Sequence, residues 1–220
     1  MTTKLANTHT PIVPDYWAKA CSYISKRDRI MKRLIAKYPK ACLESRGNPF
    51  VTLVRSIVGQ QISVKAAQSI WDRLVTHCDI KDEALEPGHI LQHDLQALKT
   101  VGLSTRKAEY ILDLSQHFAE GKIDPALWHG MEDEQVIEQL TTVRGIGRWT
   151  AEMFLIFHMF RPDIFPLDDV GLIKGISQAY FSGEPVSRSE ARDLGEAWAP
   201  YRTVATWYIW RSLDPLPVAY

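Results

Sequence analysis

The chain has 220 residues, 45% of them hydrophobic, and its 26 lysines and arginines are balanced by 26 aspartates and glutamates. That length holds one sizeable domain or two small lobes sharing a core. The zero balance argues against a nucleic-acid partner held by bulk charge, so anion recognition must rest on where the charges sit. Cys21, Cys42 and Cys78, odd in number and widely spaced, exclude a disulfide framework and a four-cysteine metal or iron–sulfur site.

The start of the chain, residues 1–10, is polar and carries no apolar signal region. No apolar run approaches the roughly 20 residues that a spanning helix needs. The expectation is an intracellular protein: cytoplasm or nucleoid in a bacterium, nucleus in a eukaryote. Lys26, Arg27, Arg29, Lys32, Arg33, Lys37 and Lys40 stand against the single acid Asp28. Two readings stand, a phosphate-facing stripe and, favoured, the solvated face of one helix whose buried stripe is Met31, Leu34, Ile35 and Tyr38. Asn48-Pro49 is a cap followed by proline at the first helical position, and Phe50, Leu53, Val54, Ile57 and Val58 repeat at helical spacing up to a stop at Gly59. Ser63 caps the next helix, with Val64, Ala67, Ile70, Trp71, Leu74 and Val75 on one face.

Ser104 opens a further helix that turns Ala108, Ile111, Leu112 and Phe118 inward and ends at Gly121. Val136, Ile137 and Leu140 form a short helical face. Residues 148–160 are apolar nearly all round, which predicts a central helix. Pro200 opens the last helix, with Val204, Trp207, Tyr208 and Arg211 on one side. No segment shows convincing strand alternation. The fold class is therefore all-α, roughly ten short helices in two lobes with a cleft between them. The central lobe spans about 48–165, and the second combines about 10–47 with 166–220.

The segment 140–175 carries the most information. It reads as a short helix, a hairpin containing Gly145 and Gly147, an apolar helix, a break at Arg161-Pro162 and Pro166, then Asp168 and Asp169 before the apolar helical stretch 170–176. Glycines let the backbone turn sharply and approach a partner closely. Exposed N–H groups at the start of the next helix can cradle a phosphate, which positions a protein on DNA without reading sequence. Arg144 and Arg148 would add charge. By itself, Gly-x-Gly before a helix reads better as a tight helix–helix turn than as an anion site.

In context, the pattern GIGRWTA, followed by P-x-DD and an apolar helix, resembles the signature of the helix-hairpin-helix–Gly/Pro–Asp DNA glycosylase superfamily. Within it, the chain is similar to the 3-methyladenine DNA glycosylase II (alkylbase DNA glycosylase) group. The likeness extends to Ile57-Val58-Gly59-Gln60-Gln61-Ile62-Ser63, to Gly102-Leu103-Ser104-Thr105-Arg106-Lys107-Ala108 and to Trp210, covering most of the chain from Pro49 onward. Some members carry an extra N-terminal β-rich domain, but nothing in residues 1–47 reads as sheet.

The resemblance implies a base-excision repair enzyme that flips an alkylated purine, such as 3-methyladenine or 7-methylguanine, out of double-stranded DNA and hydrolyses its N-glycosidic bond. Asp169 matches the superfamily carboxylate that stabilises the positive charge building on the sugar and orients the attacking water. Asp168 is expected to cap the following helix. Trp149 stands where bifunctional relatives carry the lysine that forms a Schiff base, which implies a monofunctional enzyme. Trp149 and Trp210 match aromatic residues of the base pocket, where an indole face attracts a cationic base. Trp17, Trp71, Trp128 and Trp198 read as packing or surface residues, and Trp207 is open between the two.

Gln61 matches the side chain that wedges into the duplex at the place the flipped nucleotide leaves. Ser63, Arg144, Gly145, Ile146, Gly147, Arg148 and Thr150 complete the implied DNA contacts. No cofactor and no structural metal are expected. The resemblance allows a monovalent cation on the backbone carbonyls of Thr142, Val143, Ile146 and Gly147, assisting phosphate binding only. The implied partner is damaged DNA, bound by a monomer with no membrane role. The rivals are a glycosylase for oxidised or mismatched bases with lyase activity, a non-catalytic helix-hairpin-helix module, and a helical scaffold with no nucleic-acid role.

Overall fold

A computed structural model describes residues 14–39, 43, 47–80 and 84–214. The expectations placed on residues 1–10, on Lys40 and on Cys42 fall outside them. The elements are α1 (Trp17–Arg27), α2 (Arg29–Lys37), α3 (Pro49–Gly59), α4 (Val64–His77), α5 (Pro87–Leu91), α6 (Leu95–Thr100), α7 (Thr105–Ala119), a 3-10 turn (Pro125–Gly130), α8 (Asp133–Thr141), α9 (Arg148–Phe157), α10 (Val170–Tyr180), α11 (Arg188–Gly195) and α12 (Arg202–Leu213). No strand occurs among the described residues, so the all-α expectation holds.

Local chemistry sets many of the helix starts. Asn48 accepts the Val51 N–H with Pro49 at the first position of α3, Ser63 accepts the Ala66 N–H of α4, and Ser104 accepts the Lys107 N–H of α7. Each side chain satisfies a backbone donor that the helix itself leaves unpaired.

The basic stretch is two helices, not one. Asp28 interrupts it with an extended backbone and accepts the Ile30 and Met31 N–H groups through Oδ1 at 2.8 and 2.9 Å. Its Oδ2 accepts the Tyr180 hydroxyl at 2.6 Å and the Trp198 indole N–H at 2.9 Å. One carboxylate thus caps α2 and ties the α1–α2 elbow to the C-terminal helices. Burial first, and then the bond to Asp28, hold the Tyr180 hydroxyl well above its ordinary pKa.

Helix α3 packs against α4, α7 and α9; α5 and α6 lie on α7, and α8 lies on α9. Helices α1, α2 and α10 pack against α12, with α11 on α10. The expected central helix is α9, with every residue from Thr150 to Ile156 buried. It ends at Phe157, three residues short of the expected 160. There the chain turns left-handed at Phe160 (φ +55°), and the Arg161 N–H reaches back to the Leu155 carbonyl at 2.9 Å. Such a turn closes a helix, and the following Pro162 cannot continue it.

Three further expectations are corrected. Val64 does not face inward but is 84% exposed, at the first position of α4. The inward face of α7 is rotated from the expected one: Leu114 and Ser115 are buried beside Ala108 and Ile111, while Leu112 and Phe118 are half-buried. Pro200 does not open the last helix, which begins at Arg202, where Asp163 takes the free backbone N–H. Of the packing and surface readings left for Trp17, Trp71, Trp128 and Trp198, burial of all four selects packing. Trp207 is settled as a packing residue, edge-on to Trp17 and Tyr208 at 5.5 and 5.0 Å.

The link from α9 to α10 is clamped on both sides. The Arg161 guanidinium donates to the Trp128 and Met131 carbonyls at 2.6 and 2.9 Å. Asp163 receives a two-pronged bond from Arg202 at 2.9 and 2.7 Å. Thr203 Oγ1 donates to the Arg161 carbonyl and accepts the Ile164 N–H. Charge-assisted and bidentate bonds of this kind are the stronger class. They fix the path of the segment that delivers the next carboxylate.

Candidate active site

That carboxylate is Asp169. Its Oδ1 accepts the Leu172 N–H at 2.6 Å and the Trp210 indole N–H at 2.8 Å. Its Oδ2 accepts the Trp149 indole N–H at 2.8 Å. The donors come from α10, α12 and α9, so three helices orient one side chain. Gly171 leaves room for this grip: a Cβ there would lie 3.1 Å from Asp169 Oδ1 and 3.6 Å from the Trp210 ring.

Asp169, and not Asp168, is the N-cap of α10. Asp168 was expected to cap; instead it is exposed and pairs with Arg188 at 2.6 Å. The reason is geometric. An N-cap must sit directly before the first helical residue so that its oxygen reaches the N–H three positions on, and Val170 is that residue. Capping and the expected chemistry therefore fall on one side chain. Oδ1 already holds two donors, and Oδ2 holds Trp149 with acceptor capacity to spare.

The two tryptophans occupy different settings. Trp210 stacks on Phe157 with ring centres 5.9 Å apart and planes 11° off parallel. Trp149 is 36% exposed and forms part of the wall of a cleft of about 610 Å³. Thr150, Met153 and Phe157 of α9 line the same cleft, opposite Thr52 and Val58 of α3 and Trp71 of α4. Trp149 is thus shared between the cleft wall and the carboxylate. An apolar concavity of several hundred Å³ beside a few convergent polar groups is the usual form of a small-molecule site.

The hairpin between α8 and α9 divides its work between its glycines. Gly145 carries the turn, at φ +84°, and a Cβ there would come within 2.1 Å of the Tyr110 ring. Gly147 does not carry it, having φ −90° and no atom within 4 Å of an ideal Cβ. The open space at Gly147 suits close approach by a partner, and it is the N-cap of α9 with no side-chain cap among the described residues. The N-cap residue of α9 thus covers none of the helix's first N–H groups with a side chain of its own. The Thr150 side chain is buried, leaving its backbone N–H as what it can offer a phosphate. The Ile146 N–H is spent on the Val143 carbonyl at 3.1 Å, and its side chain is buried.

The hairpin arginines are engaged by carboxylates. Arg144 pairs with Glu109 at 3.0 Å, and its backbone N–H donates to Asp113 at 2.8 Å. Arg148 bonds Glu134 closely and lies 3.6 Å from Glu152. Glu152 is buried, its Oε2 has no hydrogen-bond partner among the described residues, and burial pushes its pKa up to about 7 against the pull of Arg148. Gln61 stands exposed just beyond α3 in a left-handed conformation, φ +57°. Ser63 is exposed and spends its hydroxyl on the α4 cap.

Gln60, Lys107, Asp113 and Glu152 were missed in the sequence. Gln60 donates its side-chain N–H to the Gly145 carbonyl at 2.9 Å, and Lys107 donates to the Val58 and Gln60 carbonyls at 2.8 and 2.7 Å. The one signal for Glu152 was a charged residue inside an otherwise apolar helix.

The family described as HhH-GPD superfamily base excision DNA repair protein matches residues 54–200. DNA-3-methyladenine glycosylase 1 of Schizosaccharomyces pombe is 30% identical over 200 residues, covering 88% of this chain and 86% of its own length. A crystal structure of a DNA-3-methyladenine glycosidase from Bacillus halodurans superposes with a TM-score of 0.82 at 35% identity, covering 92% of each chain. The Schizosaccharomyces pombe enzyme Mag1, solved in complex with abasic DNA, gives 0.73 at 29% identity, covering 92% of this chain and 99% of its own. The share of a curated relative's length that the chain spans runs from 93% down to 63% and 38%.

Proposed function

The chain belongs to the helix-hairpin-helix–Gly/Pro–Asp superfamily of base-excision DNA repair proteins, and we propose that it is a hydrolytic DNA glycosylase that releases N-alkylated purines from duplex DNA. The observation that carries the reading is the clamp on Asp169: two indole N–H groups and a helix N–H hold one carboxylate beside an apolar cleft.

The roles follow from the geometry. DNA lies across the mouth of the cleft that α3, α4 and α9 line, with the hairpin N–H groups of Gly147, Arg148 and Thr150 on phosphate and Gln61 entering the stack. The extruded base stands against Trp149 and Trp210. Alkylation gives 3-methyladenine or 7-methylguanine a positive charge, which an indole face attracts. As the bond between C1′ and the base nitrogen lengthens, the base leaves with the electron pair and positive charge grows on the sugar. Asp169 faces that charge through Oδ2 and orients the water whose oxygen bonds C1′. The water's proton passes to the carboxylate or solvent. Preorganised charge of this kind is the main lever of such catalysis. No amine occupies the Trp149 position, so the products are a free base and an abasic site, with the sugar backbone intact.

The carbonyls of Thr142, Val143, Ile146 and Gly147 are the proposed seat of a monovalent cation. Those of Val143 and Gly147 each accept one backbone N–H and retain a second lone pair. Such an ion would strengthen the grip on phosphate and take no part in bond breaking. The protein would act as a monomer. Among the described residues no helix is long and apolar enough to cross a membrane.

The test is base release from DNA treated with a methylating agent, wild type against Asp169→Asn. Release of methylated purines by the wild type and its loss in the variant, with DNA binding retained, is the expected result. Binding without release by either protein would overturn the assignment.

A further inference from the structure

Gln61 is not glycine, yet it holds φ +57°, a conformation that costs an ordinary residue free energy and persists only where its surroundings over-determine it. Those surroundings are visible. Gln60, immediately before it, closes α3 with a non-helical backbone, φ −55° and ψ 128°. The Gln60 carbonyl accepts a bond from the Lys107 ammonium at 2.7 Å, and the same ammonium takes the Val58 carbonyl at 2.8 Å. Lys107 belongs to the first turn of α7, so two carbonyls at the end of one helix are held by the start of another. The peptide plane between Gln60 and Gln61 is therefore fixed from outside the turn.

The Gln60 side chain reaches the other way. Its Nε2 donates to the carbonyl of Gly145, the turning residue of the hairpin, at 2.9 Å. The wedge turn and the phosphate-facing hairpin, 85 residues apart in the chain, are thus joined by one amide. Arg144, next to Gly145, is bound by its backbone N–H to Asp113 on α7, the helix that supplies Lys107. Wedge turn, hairpin and α7 form one braced unit.

We propose that Lys107 and Gln60 are positioning residues that set Gln61 at a fixed distance and angle from the hairpin, so that gripping phosphate places the wedge at the nucleotide to be extruded. This rests on the glycosylase reading above. It predicts an effect on base extrusion and none on the bond-breaking step for Lys107, which does not line the cleft; Gln60 does line it, beside Trp149, so its variant is read by the fluorescence that breaks no bond. Single-stranded DNA, with no stack to open, does not need the brace.

The experiment uses the full chain with Lys107→Met and, because that change strips two carbonyls of their donor and can cost stability, Gln60→Met as a second variant. The first readout breaks no bond: fluorescence of 2-aminopurine placed beside an abasic site in duplex DNA, which rises when the stack is opened. The expected result is a rise with wild type, and a several-fold smaller rise with both variants at saturating protein. The second readout is single-turnover release of methylated purine. Lys107→Met should lower it about 10-fold or more on duplex and leave single-stranded DNA unchanged. Adding Gln61→Ala to Lys107→Met should cost nothing further, because the two act through one element.

No rise with wild type, an unchanged rise in both variants, equal losses on duplex and single strand, or losses that multiply in the double variant would each overturn the proposal. Failure of the glycosylase reading looks different: no base release by wild type from either substrate, whatever the fluorescence does.

Discussion

Asp169 Oδ2 and the Trp149 indole nitrogen lie 2.8 Å apart, with the indole donating. This bond joins the hairpin's helix to the carboxylate 20 residues on, so whatever orders the hairpin also orders the carboxylate. Replacing Asp169 by Asn should separate the two jobs of that side chain. Asn is as good an N-cap as Asp, so its oxygen can keep the Leu172 N–H while its amide turns toward an indole N–H and sets donor against donor. Release of alkylated purine should fall by roughly 100-fold or more, the scale at which a preorganised charge acts, with little change in melting temperature. Single-turnover kinetics and thermal melting measure both. A variant that melts far lower would mean that the clamp is structural.

Trp149→Phe isolates the bond itself. It keeps a ring in the cleft wall and deletes one donor, and Trp149 is exposed enough that the change leaves little unsatisfied. The expected outcome is a loss of roughly 10- to 100-fold in the single-turnover rate, the order of one hydrogen bond to a charged group, with affinity for abasic duplex nearly unchanged. A fall in affinity without a fall in rate would instead assign Trp149 to DNA or base binding alone.

Residues whose chemistry lies in a short stretch were legible in the sequence. Gly145, Gly147, Trp149 and the aspartate pair lie in one continuous segment, and the resemblance to a known family singled out Asp169 and Trp149 within it. The division of labour was not legible. Which glycine carries the turn depends on Tyr110, and which aspartate caps depends on where α10 begins. The braces were hidden for a different reason. Gln60 meets Gly145 across 85 residues, Lys107 meets Gln60 across 47 and Asp113 meets Arg144 across 31, and a polar side chain on a helix surface looks the same in sequence whether water or a distant carbonyl receives its bond. The break at Asp28 was missed likewise, because its partners Tyr180 and Trp198 lie at the far end of the chain.

The glycines make a paired prediction. Gly145→Ala forces a Cβ into the Tyr110 ring and a side chain into φ +84°, so it should cost about 2–4 kcal/mol of stability. Gly147→Ala meets no atom and needs no unusual φ, so its melting temperature should stay near that of wild type. Its methyl would stand where a phosphate must approach, so duplex affinity should fall. Denaturant melts and anisotropy titrations on the two variants settle the matter, and equal stability losses would show that the hairpin has been misread.

Arg148 leads to a prediction about salt. Glu134 and Glu152 hold its guanidinium in the free protein, so binding a phosphate means leaving them. Glu134→Gln should release it and raise duplex affinity a few-fold at low ionic strength. Arg148→Ala should weaken binding and reduce the slope of log affinity against log salt by about one. An unchanged slope in Arg148→Ala would place this arginine off the DNA.

Glu152 makes stability depend on pH in a direction opposite to the usual carboxylate. Burial raises its pKa from 4.5 to about 7, opposed by Arg148, with Asp168 and Glu134 adding to the rise. The folded state therefore holds the proton more tightly than the unfolded one. The stabilisation is complete below pH 4.5 and is lost as the pH rises through about 7. His158 acts in an overlapping range with the opposite sign: burial lowers its pKa from 6.5 to about 4, so its contribution is present above pH 6.5 and lost as the pH falls toward 4. The raw melting curve mixes the two, and the difference between Glu152→Gln and wild type removes the histidine. That difference should be near zero or slightly negative at pH 4.5 and should grow in favour of the variant up to pH 8, by about 1–3 kcal/mol. A difference that stays flat across this range would mean that Glu152 remains charged at neutral pH, with Arg148 supplying the full balance for its burial.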